Sequence, residues 1–308
     1  MVLCVCPNPA VDTYAWIPHL NPGEVNRIHR TAAYAGGKAI HVALALNELG
    51  AACKVLGFWA GSSGNWLQNQ LQNKGIRTSG INLTGETRTC YTLRSADQKT
   101  NNTELLTPGP QLKPEDWSAF LDLYSKEIQE VEYINISGSL PKGAPEDGYL
   151  QLAELANQHN KKLIADCSGI QLKNLLKTSF FGLHLNQHEA SELVKSENPN
   201  TIFSSLAEKV SLLALTKGKE GLYLHKDKAV LHANVSLNEI KSTVGSGDCL
   251  TAGIIYALTE NTPAAEIARY GVACGAANCL NEDLGMLRKK DVMELLAQVS
   301  LKTRYETA

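Results

Sequence analysis

The chain reads as an α/β protein: a parallel β-sheet with helices on both faces, carrying a smaller β-rich appendage. Three observations predict this. Apolar runs of strand length alternate with amphipathic runs of helix length along most of the sequence, and β-α-β-α order builds a parallel sheet covered on both sides. Two β-rich segments, within 11–35 and 87–107, break that order and pair most simply with each other. Polar residues able to do chemistry fall just after the predicted strands, where an open parallel sheet binds ligands.

The elements follow in order. Met1 to Cys6 is apolar and stops at Pro7-Asn8-Pro9, as a buried strand would. Ala10 to Ile17 alternates unevenly and carries Asp12, a polar turn at Asn21-Pro22-Gly23-Glu24 follows, and Arg27 to Tyr34 reads as a second strand. Two strands before any helix look like an inserted flap. Ala35-Gly36-Gly37-Lys38-Ala39-Ile40-His41 opens a long helix with its apolar stripe at Val42, Ala43, Leu46 and Leu49 and its end at Gly50. Strand Cys53–Phe58 and helix Asn65–Asn73 come next. Arg88–Leu93 and Thr103–Leu106 are β-rich, with a polar turn at Ala96–Lys99 between them, so they form a hairpin. This hairpin and the early flap make a four-stranded sheet standing off the body.

Regular alternation then resumes. Helix Pro114–Glu130 precedes strand Tyr133–Ile136, and helix Asp147–His159 precedes strand Lys162–Asp166. Strand Gly182–Leu185 leads into Asn186-Gln187-His188-Glu189 and a short helix. Helix Thr201–Glu208 precedes strand Leu212–Thr216. A turn at Lys217–Gly221 enters the hairpin Leu222–His225 and Ala229–His232. Helical runs Gly247–Leu258, Ala264–Leu280 and Lys290–Val299 close the chain. No internal repeat, low-complexity tract or linker divides it, so residues 1–308 read as a single domain.

Composition narrows the classes. The formal net charge is -2 and no basic run occurs, so no footprint for nucleic acid is expected. No apolar run approaches the roughly 18 residues of a membrane helix, and Met1–Pro7 lacks the basic leader of a signal peptide. The eight cysteines are scattered without a C-x-x-C. They are expected to be reduced thiols of a cytoplasmic protein.

The stretch Ser242-Thr243-Val244-Gly245-Ser246-Gly247-Asp248 carries the sharpest chemical signal. Glycines lead into a helix whose first amides point outward, which suits an anion. Asp248 beside them can accept a proton from an attacking hydroxyl. The same pattern also describes an ordinary helix start with an acidic first turn. Likewise, Asn186 with Glu189 three residues on is a capping pattern, and Asp166 suits a strand-end cap. Lys38 is the reverse case, because a cation in the first turn opposes the helix dipole and so favours a ligand role. No Walker A, dinucleotide glycine motif, protein-kinase loop or nucleophile elbow is present. His184 and His188 lie four apart across a strand end and need not share a face, so a zinc pair is not expected.

Gly36-Gly37-Lys38-Ala39-Ile40-His41-Val42-Ala43 resembles the G-G-K-G-x-N-x-A signature of the ribokinase-like (PfkB) sugar kinases, and Ser242 to Ala252 resembles their D-T-x-G-A-G-D-x-x-x-A signature. Asn8-Pro9-Ala10-Val11-Asp12 and Ile136-Ser137-Gly138-Ser139-Leu140-Pro141 are similar to the phosphosugar branch, which includes 1-phosphofructokinases and tagatose-6-phosphate kinases. The resemblance implies a three-layer α/β/α body with a mostly parallel sheet, a β-sheet lid, and a homodimer joined through the lids. It implies ATP as co-substrate, Mg2+, and in some members a monovalent cation.

Transferred by position, Asp248 becomes the base, with Gly245, Ser246 and Gly247 as the anion hole. Asp12, Gly36, Gly37, Lys38, His41, Ser137 and Gly138 fall on the sugar side. Arg88, with Arg27, faces the phosphate the sugar already bears. Asn186 matches the family's N-x-x-E with Glu189, the residue for magnesium directly or through water. Thr216, Lys217, Gly218 and Gly221 form the turn beneath the nucleotide, and Asn278 or Asn281 edges the adenine. The sequence departs from the family at Ala39, His41, Ser242, Ser246, His184 and Leu185. The implied activity is phosphorylation of fructose 1-phosphate or tagatose 6-phosphate to the bisphosphate. The alternatives are a kinase of an unphosphorylated sugar or nucleoside, and a catalytically silent sugar- or nucleotide-binding protein.

Overall fold

The computed structural model describes residues 1–226, 229–282 and 286–305. Strand β1 (Val2–Cys6) is buried along its whole length. Val2, Cys4 and Cys6 enter one apolar core while Leu3 and Val5 enter another. A strand covered on both faces has no polar side, which is why this run is continuously apolar. On one side of β1 lie β4 (Cys53–Ala60) and β5 (Arg77–Leu83), and on the other β8 (Tyr133–Ser137), β9 (Lys162–Asp166), β10 (Phe180–Asn186) and β11 (Val210–Thr216), all parallel. β12 (Leu222–Lys226), β13 (Ala229–Asn234) and β14 (Ser300–Tyr305) finish the sheet in antiparallel pairing. The order is β14-β13-β12-β11-β10-β9-β8-β1-β4-β5. Chain direction across the sheet therefore reverses at β1 and β8, which is where such sheets open a crevice.

The first core is covered by α1 (Lys38–Leu49), α2 (Gly61–Asn73), α8 (Ser246–Thr259), α9 (Ala264–Cys279) and α10 (Lys289–Leu296). The second lies under α3 (Pro114–Glu127), α4 (Gly148–Gln158), α5 (Gly169–Leu175), α6 (Gln187–Val194) and α7 (Pro199–Leu206). The body is the expected three-layer α/β/α arrangement.

The expected four-stranded lid is also present. β2 (Ala10–Ile17), β3 (Arg30–Gly36), β6 (Arg88–Ser95) and β7 (Thr103–Leu106) lie in the order β3-β2-β6-β7. β2 and β6 run parallel and the outer pairs antiparallel. Ala15, Ile17 and Leu93 give the lid a small core of its own.

Several elements differ from expectation. The strand expected from Arg27 starts at Arg30. Asn26 explains the delay: its side chain accepts from Asn21 N at 2.8 Å and donates to Asn21 O and Glu24 O, holding 21–26 as a loop. β5, α5 and β14 were not anticipated. Arg77-Thr78-Ser79-Gly80 has no apolar alternation, and only its pairing with β4 makes it a strand. α5 spans seven residues, too few for a helical period to show.

Candidate active site

A cleft of about 820 Å³ opens between the lid and the carboxyl ends of β9, β10 and β11. It brings together Asp12, Gly37, Lys38, His41, Arg88, Asn186, Glu189, Thr216, Gly218, Gly221 and the run Gly245–Asp248.

The start of α8 forms its floor. Gly245 caps the helix at φ 83°, a left-handed conformation that disfavours any side chain. Ser246 N donates to Thr243 O at 3.2 Å, so that amide is already engaged. Gly247 and Asp248, in the first turn of α8, have no carbonyl within the helix to bond and are left to meet an anion. Asn278 is fully buried behind this loop. Its Nδ2 donates to Val244 O at 3.0 Å, and Cys249 Sγ donates to its Oδ1 at 3.5 Å.

Asp248 is 6% exposed and its Oδ2 lies 2.9 Å from His41 Nδ1. His41 Nε2 lies 3.1 Å from Asp12 Oδ2, within ion-pair range but off the axis of a hydrogen bond. Gly36 has no room for a side chain, because a Cβ there would occupy the space of the Asp12 carboxylate. Burial opposes charge on His41, yet the carboxylates of Asp12 and Asp248 on its two ring nitrogens outweigh it and raise the imidazole to about 10. Burial likewise pushes the Asp248 carboxyl above the ordinary aspartate value, and His41 only partly offsets this. The two shifts do not mirror each other because one imidazolium serves two carboxylates. The raised Asp248 was not anticipated; its burial appears only in the fold.

A second cluster lies alongside, in which Asp166 and His184 are buried and Lys38 is exposed. Lys38 Nζ donates to Asp166 Oδ1 at 2.8 Å, and His184 Nδ1 lies 2.9 Å from Asp166 Oδ2. His184 Nε2 reaches Thr216 Oγ1 at 3.2 Å. Burial works against a charged Asp166, but Lys38 and His184 hold it well below the usual carboxylate range. Asp166 therefore anchors both Lys38 and the His184 ring, a role its strand-end position alone did not reveal. It also answers the dipole problem of Lys38, whose charge finds a carboxylate.

On the lid side, Arg88 Nη2 donates to Asn8 O at 3.1 Å while its buried Nε has no hydrogen-bond partner among the described residues. Cys90, Thr92, Glu104 and Leu106 of the lid complete this wall. At the opposite end Val235, Leu237, Ile240, Val272, Ala276 and Cys279 make an apolar wall beside Gly218 and Gly221. Sequence reasoning missed both walls. The small-residue run of α9, which lets a flat ligand approach, is the one signal that pointed to the second.

Other expected residues lie outside the cleft lining. Arg27 sits in the exposed loop before β3. Ser137 is buried and donates to Asn135 Oδ1 at 3.0 Å, and Gly138 N donates to Asp166 O at 3.1 Å, so both support Lys38 and Asp166 from behind. Lys217 Nζ pairs with Glu220 at 3.4 Å. Asn281 Nδ2 donates back to Ala277 O.

Asn186 and Glu189 form the reciprocal capping box that their spacing suggested, with both bonds at 2.9 Å, and both also line the cleft. Capping and ligand roles are thus compatible. Among the described residues no three His, Cys, Asp or Glu converge on a metal position. Magnesium bound to a nucleotide needs only one or two protein carboxylates beside the phosphates, and Glu189 fits that limited part. His184 and His188 do not converge, since His188 is a surface residue beside Glu192. None of the eight cysteines is joined in a disulfide, and no described helix is long and apolar enough to cross a membrane.

Amides at a helix start can hold a transferring phosphoryl group, and a carboxylate beside them can take the proton of an attacking hydroxyl. Those are the parts of a small-molecule kinase. Comparison with known proteins narrows this class. The model of the pfkB family carbohydrate kinases matches residues 6–288, and the chain belongs to that family. It is similar to the 1-phosphofructokinase of Bacillus subtilis (strain 168), 29% identical over 98% of this chain and 99% of that one. Two structures of phosphofructokinase-2 from Escherichia coli, in complex with potassium and with fructose-6-phosphate, match with TM-scores of 0.87 and 0.86 at 23% and 22% identity, each over 96% of this chain and 98% of theirs. At that identity they establish the fold, including the lid.

Proposed function

We propose that this carbohydrate kinase transfers the γ-phosphoryl group of ATP to a hydroxyl of a ketohexose phosphate, fructose 1-phosphate or tagatose 6-phosphate, giving the bisphosphate and ADP. One observation carries the reading. The buried carboxylate of Asp248, beside the open amides of α8, shares one cleft with an arginine whose Nε is buried without a partner. The first pair suits phosphoryl transfer. The second suits a phosphate that the acceptor already bears.

The acceptor hydroxyl oxygen attacks the γ-phosphorus and gives its proton to Asp248. The new O–P bond forms as the bond to the β-γ bridging oxygen breaks, and that oxygen leaves on ADP with the electron pair. Magnesium, when bound with the nucleotide, neutralises the phosphate oxygens; Glu189 and Asn186 are the residues placed to orient it. The amides of Gly247 and Asp248 meet the charge on the transferred group, each such donor contributing about 3 kcal/mol in comparable sites. Lys38, held by Asp166, adds positive charge to the same space. Thr216, Gly218 and Gly221 line the nucleotide end, with the apolar wall of α9 for the base. The lid carries Asp12 and Arg88, so sugar binding and closure are one event that excludes water.

ADP release by the purified protein with ATP and a panel of fructose 1-phosphate, tagatose 6-phosphate, fructose 6-phosphate, free sugars and nucleosides tests this. Turnover of the phosphorylated ketohexoses is expected. Turnover of free sugars alone would replace the reading, and no turnover with any acceptor would sink it. Running the assay in potassium and in sodium salts tests a monovalent-cation requirement, a reading supported by the potassium complex of phosphofructokinase-2. The reading also takes the lid as a homodimer surface, supported by Leu105 and Leu106, 52% and 61% exposed on the edge strand β7. Leu105→Glu should shift the sedimentation coefficient towards the monomer. The reading also takes the location as cytoplasmic, supported by eight cysteines outside any disulfide.

A further inference from the structure

We propose that His41 is the positioning residue of the base: a cation clamped between Asp12 and Asp248 that keeps Asp248 ionised and aimed, rather than a direct ligand of the sugar. The inference rests on Asp248 being the base.

Three elements meet here. Asp12 comes from β2 of the lid, His41 from the first turn of α1, and Asp248 from the first turn of α8. The two carboxylates contact the same imidazole from opposite ring nitrogens, at 3.1 and 2.9 Å. Both His41 and Asp248 are nearly inaccessible, at 5% and 6% exposure. Two carboxylates drawn to one buried spot cannot both stay ionised without a cation between them; one would take up a proton. A protonated Asp248 could not accept the hydroxyl proton. A neutral amide at position 41 could bond one carboxylate but would bring no charge. The imidazolium brings both, with a donor for each side.

The other titratable groups near the clamp do not replace it. Cys6, next to α1, is pushed up by burial to about 12 and stays neutral. Lys38 attracts Asp248, but its ammonium is bonded to Asp166, which repels Asp248. His41 already carries its proton at neutral pH, its imidazole being raised to about 10. It is therefore not a second base. Its bond occupies Oδ2 of Asp248, which leaves Oδ1 for the sugar hydroxyl. Because Asp12 belongs to the lid, the clamp also ties the aim of the base to the position of the lid.

The test is the pH profile of kcat for the wild type, His41→Asn and His41→Gln, each with KM for sugar phosphate and ATP. Removing the cation raises the Asp248 carboxyl, so less of it is ionised at a given pH. The acid limb of both variants should move up by about one pH unit or more, a tenfold loss on the limb that recovers towards higher pH. KM for ATP should stay within a fewfold of the wild-type value. A limb that does not move, with the sugar KM raised instead, would make His41 a sugar ligand and overturn the proposal. 15N NMR of the wild type gives an independent check that needs no folded variant: both ring nitrogens of His41 should be protonated at about pH 8, and a neutral ring there would overturn it. Asp248→Asn separates the two claims, since full turnover by that variant removes the base itself.

Discussion

Two aspartates in this cleft are buried alike and each is bonded to a histidine at 2.9 Å, yet they titrate in opposite directions. Asp248 is pushed up and Asp166 is held down. Burial acts the same way on both, so the difference lies in the partners. Asp166 has the Lys38 ammonium and the His184 ring to itself, whereas Asp248 shares His41 with Asp12. A carboxylate with a cation of its own is a strut. A carboxylate with half a cation keeps its affinity for a proton, which is what a base requires. The protein thus gives two aspartates of one cleft opposite titration with the same residue types.

The largest effect should come from removing the reactive member. Asp248→Ala is expected to lower kcat by roughly 10²–10⁴-fold, the usual share of a general base, while calorimetry still shows ATP binding. Retention of substantial turnover would break the contrast at its catalytic end. Next, Asp166→Asn removes the carboxylate that Lys38 and His184 share and should cost about 1–3 kcal/mol of stability in urea unfolding. Asp248→Asn should cost clearly less, because His41 keeps Asp12. Equal losses would mean that both aspartates are struts.

The pH dependence of stability sharpens the same contrast. Asp166 lies below its unfolded value, so its contribution is complete above about pH 4 and is lost as the pH falls through its folded value. Asp166→Asn should therefore flatten the acid side of a urea-midpoint profile. Asp248 has the opposite sign and costs stability as the pH rises past its unfolded value. His41 is raised, so its contribution is complete below about 6.5 and disappears as the pH rises through about 10. His41→Asn should remove that alkaline decline. A smaller effect is expected on the lid. Arg88→Ala should raise KM for the phosphosugar by about 10–100-fold, the value of a charged hydrogen bond or two, with kcat changed less. The smallest is Gly245→Ala, about 1–2 kcal/mol for a side chain forced into the left-handed region, read as a lowered melting temperature.

Much of this was legible in the sequence, for reasons that differ by element. β1 announced itself because burial on both faces leaves no polar position. The lid was visible because two β-rich segments broke a regular alternation. Asp248 was visible through the match of its stretch to a family signature, since glycines and an acid at a helix start also describe an ordinary helix start. Asn186 and Glu189 were legible as a capping pair, since capping depends on spacing alone. The rest was not legible, because it depends on residues far apart in sequence. Nothing local to His41 says that Asp12 and Asp248 will flank it, and nothing local to Asp166 says that Lys38 will reach it. Arg27 and Asn278 were read by position in a motif, but a loop knotted by Asn26 and a bond to Val244 O put them elsewhere.

The sequence by itself determined most of the order of strands and helices, the existence of the lid and the family, because periodicity and glycine-rich turns are local properties written into neighbouring residues. Only the tertiary structure decided which buried aspartate is held charged and which is pushed towards its protonated form. That choice depends on how many positive groups the fold carries to each carboxylate, and charge acts through space rather than along the chain.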